Sequence, residues 1–95
     1  SREAASGGIE NIYRLQIINM DNQAHRYSIT AKGIEGLKVT EGNAVEIPAL
    51  GTVDVNVTLE ASRLALSRPS HPVVFEIQAA DAPEIVREAK SSFLK

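Results

Sequence analysis

Apolar residues recur at every second position along most of the chain, the period of a strand with one buried face, and seldom at the three-to-four spacing of a helix. The clearest stretch is Val53, Val55, Val57 and Leu59, interleaved with Asp54, Asn56, Thr58 and Glu60. An earlier segment sets Ile9, Tyr13, Leu15 and Ile17 against Glu10, Arg14 and Gln16, with Ile12 and Ile18 interrupting the polar side. Met20-Asp21-Asn22-Gln23 then offers turn chemistry, because Asp and Asn bond their own backbone and tolerate left-handed angles. The return strand is predicted over His25 to Lys32, with Tyr27, Ile29 and Ala31 inward.

Gly33 and Gly36 close that strand. Two short runs follow, Leu37 to Thr40 and Val45 to Ile47, and the intervening Glu41-Gly42-Asn43 suits a tight reversal between them. Pro48 confines the second run to a sheet edge. After the valine strand, Ala61 to Ser67 carries helical propensity enough for one or two turns. Pro69 and Pro72 force extended backbone before a strand that begins at Val73 with Phe75, Ile77 and Ala79 inside. Asp81-Ala82-Pro83 makes a turn, and Ile85 to Leu94 reads as a closing strand, although Ile85, Ala89 and Phe93 also fit one helix face. About seven strands joined by short turns predict an all-β fold, an immunoglobulin-like antiparallel β-sandwich. Crossover helices, which a parallel sheet needs, are missing. Ser1 to Gly8 is small and polar and reads as a flexible lead-in, so the domain is placed at residues 9–95.

Ninety-five residues suffice for one such domain and exclude a two-domain enzyme. Twelve acidic and ten basic side chains leave a formal charge of -2, which offers no basic surface for nucleic acid. No cysteine occurs, so disulfides, iron–sulfur ligation and cysteine nucleophiles are excluded within the chain. No apolar run approaches the ~20 residues needed to cross a bilayer as a helix, and the chain is expected to be soluble. The antibody-type Cys and Trp marks are missing, as is the exposed aromatic platform of sugar-binding sandwiches.

Candidate chemistry is sparse. With strands alternating in direction, the first, third and fifth of six connections share a pole, which would bring His25, His71 and Met20 together as a conceivable soft-ligand set for copper. Two exposed loop histidines and an end-of-strand methionine are the simpler reading, since metal sites recruit three or four ligands with outer support. Ser28, Ser70 and Ser92 lack nucleophile-elbow spacing, and Asp81 with Glu84 reads as a solvated turn rather than a glycosidase pair. Gly33-Ile34-Glu35-Gly36 completes no phosphate loop, and the glycosylation-like Asn56-Val57-Thr58 lies inside a strand. No catalytic, cofactor-binding or metal residue is therefore assigned. Exposed edge strands, which can accept a partner strand through main-chain hydrogen bonds, are the feature left for function, against a plain spacer.

The run Gly8-Ile9-Glu10-Asn11-Ile12-Tyr13-Arg14-Leu15-Gln16-Ile17-Ile18-Asn19-Met20-Asp21, followed by His25-Arg26-Tyr27, resembles the start of the C-terminal immunoglobulin-like domain of FixG-type proteins, also called cytochrome c oxidase accessory proteins. Similarity continues through Gly33-Ile34-Glu35-Gly36-Leu37, the valine strand, Ser70-His71-Pro72 and Phe93-Leu94. The resemblance implies a parent that is a bacterial inner-membrane polyferredoxin and iron–sulfur oxidoreductase, with 4Fe–4S clusters, acting in assembly of cbb-type cytochrome oxidases and in copper handling. It implies a periplasmic position for this domain and an assembly or copper-delivery protein as partner, with oligomeric state open. The family's cluster ligands have no counterparts here, so no functional residue carries over and the fragment itself is read as non-catalytic and free of cofactor. A tether entering through Ser1 to Gly8 would then leave the histidine pole pointing away from the membrane.

Overall fold

The computed structural model covers Ser1 to Lys95 and contains eight strands: β1 (Arg2–Glu3), β2 (Ile9–Ile18), β3 (His25–Lys32), β4 (Lys38–Glu41), β5 (Ala44–Ile47), β6 (Thr52–Ala61), β7 (Ser70–Ala79) and β8 (Val86–Leu94). They form two four-stranded antiparallel sheets, one in the order β1-β2-β6-β4 and the other β5-β3-β7-β8. The alternation seen in the sequence is the reason. Val57 and Leu59 of β6 and Ile29, Phe75 and Phe93 of the facing sheet are fully buried, and Tyr13 meets Phe75 edge-on at a ring separation of 5.0 Å. The closing segment is strand throughout from Val86, and the region after β6 contains only a single 3-10 turn over Arg63–Ala65, capped by the Ser62 hydroxyl.

Two expectations need correction. Residues 1 to 8 are part of the fold: Arg2 and Glu3 pair with Glu10 and Ile9, and Ala4 is buried. The small, polar composition concealed an edge strand held by main-chain pairing and by exposed ion pairs of Arg2 with Glu10 and Glu3 with Arg63, with no apolar side chain to give it a strand pattern. Second, β4 and β5 are not a hairpin. β4 pairs with β6 and β5 with β3, and both run the same way, so together they make one traverse that passes from one sheet to the other. The switch occurs at Gly42, whose φ of 80 is natural only for glycine, and Asn43 continues by accepting the Ile29 N–H at 2.9 Å.

That sheet switch shifts the parity of every later connection. Residues 19–24, 48–51 and 80–85 gather at one end, here the far pole; residues 33–37 and 62–69 lie at the near pole. Gly8 and Leu94, at the outer ends of β2 and β8, also lie at the near pole. His25 opens β3 at the far pole and His71 lies in β7 at the near pole, so the shared histidine pole is overturned.

β2 and β8 flank one open seam of the sandwich. At its near end two inward side chains of β2 cross to the β8 main chain: Asn11 Nδ2 donates to Leu94 O at 2.8 Å, Asn11 Oδ1 accepts the Leu94 N–H at 2.9 Å, and Tyr13 donates to Ser92 O at 2.9 Å. Asn11 thus stands in for a strand neighbour.

A Cβ at residue 42 would lie 2.4 Å from Asn56 O. Gly42→Ala is expected to lower stability by about 2–3 kcal/mol, through left-handed strain plus displacement of β6, as read by urea unfolding. An unchanged midpoint would contradict the switch.

Candidate functional site

The far pole is built around Asn19, which is fully buried where β2 ends. Its Nδ2 faces the carbonyls of Gln23, Ile47 and Pro48 at 2.8, 3.2 and 3.1 Å, and its Oδ1 accepts from the Asp21 N–H and the Tyr27 hydroxyl at 3.0 Å each. A backbone bond from Asn19 N to Gly51 O at 2.9 Å and one from Leu50 N to Asp21 O at 3.0 Å complete the join of two loops. A buried amide with all its groups satisfied fixes a loop arrangement more tightly than apolar packing would.

His25 ties in the third loop. Its ring Nε2 lies 2.7 Å from Asp21 Oδ2 and its Nδ1 lies 2.7 Å from Asp81 Oδ1, with the ring itself only 3% exposed. Carboxylates on both ring nitrogens require both to donate, which is the imidazolium form. The Asp21 contact first, and the Asp81 contact next, hold the His25 pKa above its usual value against the opposing effect of burial. The hydrogen bonds from His25 hold both carboxyls below theirs. Burial pushes the Tyr13 phenol up to about 12, so it stays a neutral donor to Ser92.

Beyond this network the seam between β2 and β8 opens into a groove of about 470 Å³, floored by Ile17, Tyr27 and Ile77 and edged by Ile18, Met20, Ile85 and Arg87. Ile18, Met20 and Leu50 are 57%, 81% and 69% exposed on adjoining main chain at this pole. Leu50 also holds a φ of 57, a conformation natural to glycine or asparagine. A large apolar side chain kept both exposed and strained is out of place for folding alone.

The residues weighed for copper do not converge. Both ring nitrogens of His25 face carboxylates, Met20 faces outward, and His71 is at the other pole, where its Nε2 accepts the Arg68 N–H at 3.2 Å. Neither histidine is the exposed loop residue expected, because 25 shares the inward parity of Tyr27 and Ile29, and 71 that of Val73 and Phe75. Asp81 and Glu84 are both exposed, as expected of a solvated turn, and Asp81 in addition accepts from His25. Ser28, Ser70 and Ser92 lie apart on three strands, and Asn56 is mid-strand in β6. Sequence reasoning missed Asn11 and Asn19. Positions 9 to 19 alternate without a break, and both asparagines fall on the buried parity.

Over residues 1–95 the chain matches the family model described as "IG-like fold at C-terminal of FixG, putative oxidoreductase". Among solved structures it is similar to a FixG-related protein from Vibrio parahaemolyticus, at a TM-score of 0.84 and 22% identity, over 95% of this chain and 82% of that one. At that identity the likeness concerns the fold. No significant match is found among curated proteins.

The ion cluster has a definite pH signature. With the His25 pKa raised, its contribution is full below about 6.5 and is lost as pH climbs through the raised value. With the Asp21 and Asp81 pKa values lowered, theirs is present above about 4 and is lost as pH falls through the lowered values. Stability measured by urea unfolding is expected to fall between pH 6 and pH 9 in the parent sequence relative to His25→Gln. Parallel profiles for the two proteins would contradict the imidazolium assignment.

Proposed function

The chain belongs to the family of immunoglobulin-like domains at the C-terminus of FixG, and from that premise we propose that it is a non-catalytic protein-interaction module, docking a partner at its far pole. The supporting observation is the exposed apolar group Ile18, Met20 and Leu50 beside the groove, at the opposite end from Gly8 and Leu94. We take the attachment to the larger protein to lie on the near half of the domain, where β1 pairs with the start of β2, which makes the far pole the outward end. The molecule extends 43 Å along its longest axis, enough to hold that tip clear of its attachment.

In this reading the parent is an iron–sulfur membrane oxidoreductase serving cbb-type oxidase assembly, the domain stands on the periplasmic side, and the partner is an assembly or copper-delivery protein. Against a plain spacer stand the open groove and the exposed apolar side chains beside it. A copper relay through His25, His71 and Met20 would need those side chains together, and they are divided between the poles.

Replacing the domain in its parent by a Gly/Ser linker separates the readings: oxidase assembly should fail, and full rescue by the linker would assign a spacer. Leu50→Gly refines the test. Releasing the left-handed strain should leave stability within about 1 kcal/mol of the parent sequence while assembly falls. Unimpaired assembly in that variant would remove the far pole from the interaction.

A further inference from the structure

We propose that the far half of β8 accepts an extended segment of another protein as an added strand, with apolar side chains entering the groove and one carboxylate meeting Arg87. The proposal rests on the docking role above and specifies its mode and partner chemistry.

The main chain of β8 supplies the first argument. Ile85 O accepts the Ala79 N–H at 3.0 Å, which sets the odd-numbered residues of the strand toward β7 and the even-numbered ones outward. At the near end Asn11 takes both the N–H and the C=O of Leu94, and Tyr13 takes the C=O of Ser92. At Val86, Glu88 and Lys90 no side chain takes up the outward N–H groups. Of the outward C=O groups only that of Val86 is bonded, by the flexible, exposed Arg87 side chain at 2.9 Å, which an incoming strand would displace toward its carboxylate. That is an unblocked edge, the kind that pairs with an incoming strand. No proline or bulge interrupts it; the one register irregularity falls in the other sheet, between β4 and β6.

The groove supplies the second. It lies directly beside this edge, and side chains of a paired strand project alternately toward it and away. Alternation of apolar and polar residues in the incoming segment is therefore the matching pattern.

Charge supplies the third. Three charged residues line the groove: Asp21, Glu88 and Arg87. Asp21 is already bound by His25, and Glu88 lies 3.5 Å from Lys32 Nζ. Arg87 donates only to the carbonyl of its neighbour Val86, at 2.9 Å, and has no carboxylate partner. The one unspent charge at the groove is positive, so the complementary segment is acidic as well as apolar.

The test uses the 95-residue chain and a blocked peptide alternating Val and Thr around one central Glu, with a second peptide carrying Lys in place of that Glu. Amide chemical shifts should move at Val86, Glu88 and Lys90 and along the groove. The Glu peptide should bind about fivefold or more tightly than the Lys peptide, and Arg87→Glu should reverse that preference. Glu88→Pro, which removes one outward N–H, should weaken binding about tenfold with an unaltered fold by circular dichroism. Shifts confined to another surface, no preference between the peptides, no binding at millimolar concentration, or self-association through β8 would each overturn the proposal. In the parent protein, normal assembly with Glu88→Pro and Arg87→Glu alongside failure of the linker replacement would reject strand addition and leave the docking role intact.

Discussion

A strand at the rim of a sheet must dispose of the N–H and C=O groups that face away from its neighbour. β8 does this in two ways along its length. Near the chain ends, Asn11 and Tyr13 reach across from the opposite sheet and occupy the Leu94 and Ser92 groups, closing the seam. Toward the far pole nothing crosses, the two sheets part, and the groove opens between them. Along β2 and β8 the seam is thus stitched at one end and open at the other. Ile18, Met20, Leu50 and Val86 are exposed at the unstitched end, and Ile12, Leu64 and Leu94 toward the other.

An open edge is useful for recognition only if it is held still, since ordering a mobile surface subtracts from affinity. The polar groups of the far pole provide that rigidity. Asn19 joins the loop after β2 to the loop before β6, and His25 joins the first of these to the loop before β8 through Asp21 and Asp81. No buried side-chain polar atom in the molecule lacks a partner. Histidine here is a structural cation between two anions, which is a different role from a metal ligand and is incompatible with one while both nitrogens donate.

Local periodicity made the strands legible, and nearly every inward residue read from β2, β3, β6 and β7 is buried or half-buried in the structure. Direction was harder to read than strand position. Gly42 and Asn43 suit a reversal and a sheet switch equally well, because both need a left-handed glycine, and only the choice of partner strand distinguishes them. Misreading that one step placed His71 at the wrong end. Asn11 and Asn19 sat on the buried parity in plain view, yet a polar residue on an apolar face is readable as a bridge only once its acceptors are known. β1 left no hydrophobic alternation to read because both its residues are exposed and charged, and it is held by main-chain pairing and surface ion pairs. The groove depends on which pair of strands flanks the seam, and hence on topology rather than on any motif.

The division of β8 into a spent and an unspent half is tested most directly by amide hydrogen exchange on the free chain. Because Asn11 Oδ1 accepts the Leu94 N–H, that amide should exchange at least about a hundredfold more slowly than those of Val86, Glu88 and Lys90, which should exchange close to the unprotected rate. Comparable protection at all four amides would mean that the far half of the edge is already occupied, and the account would fail.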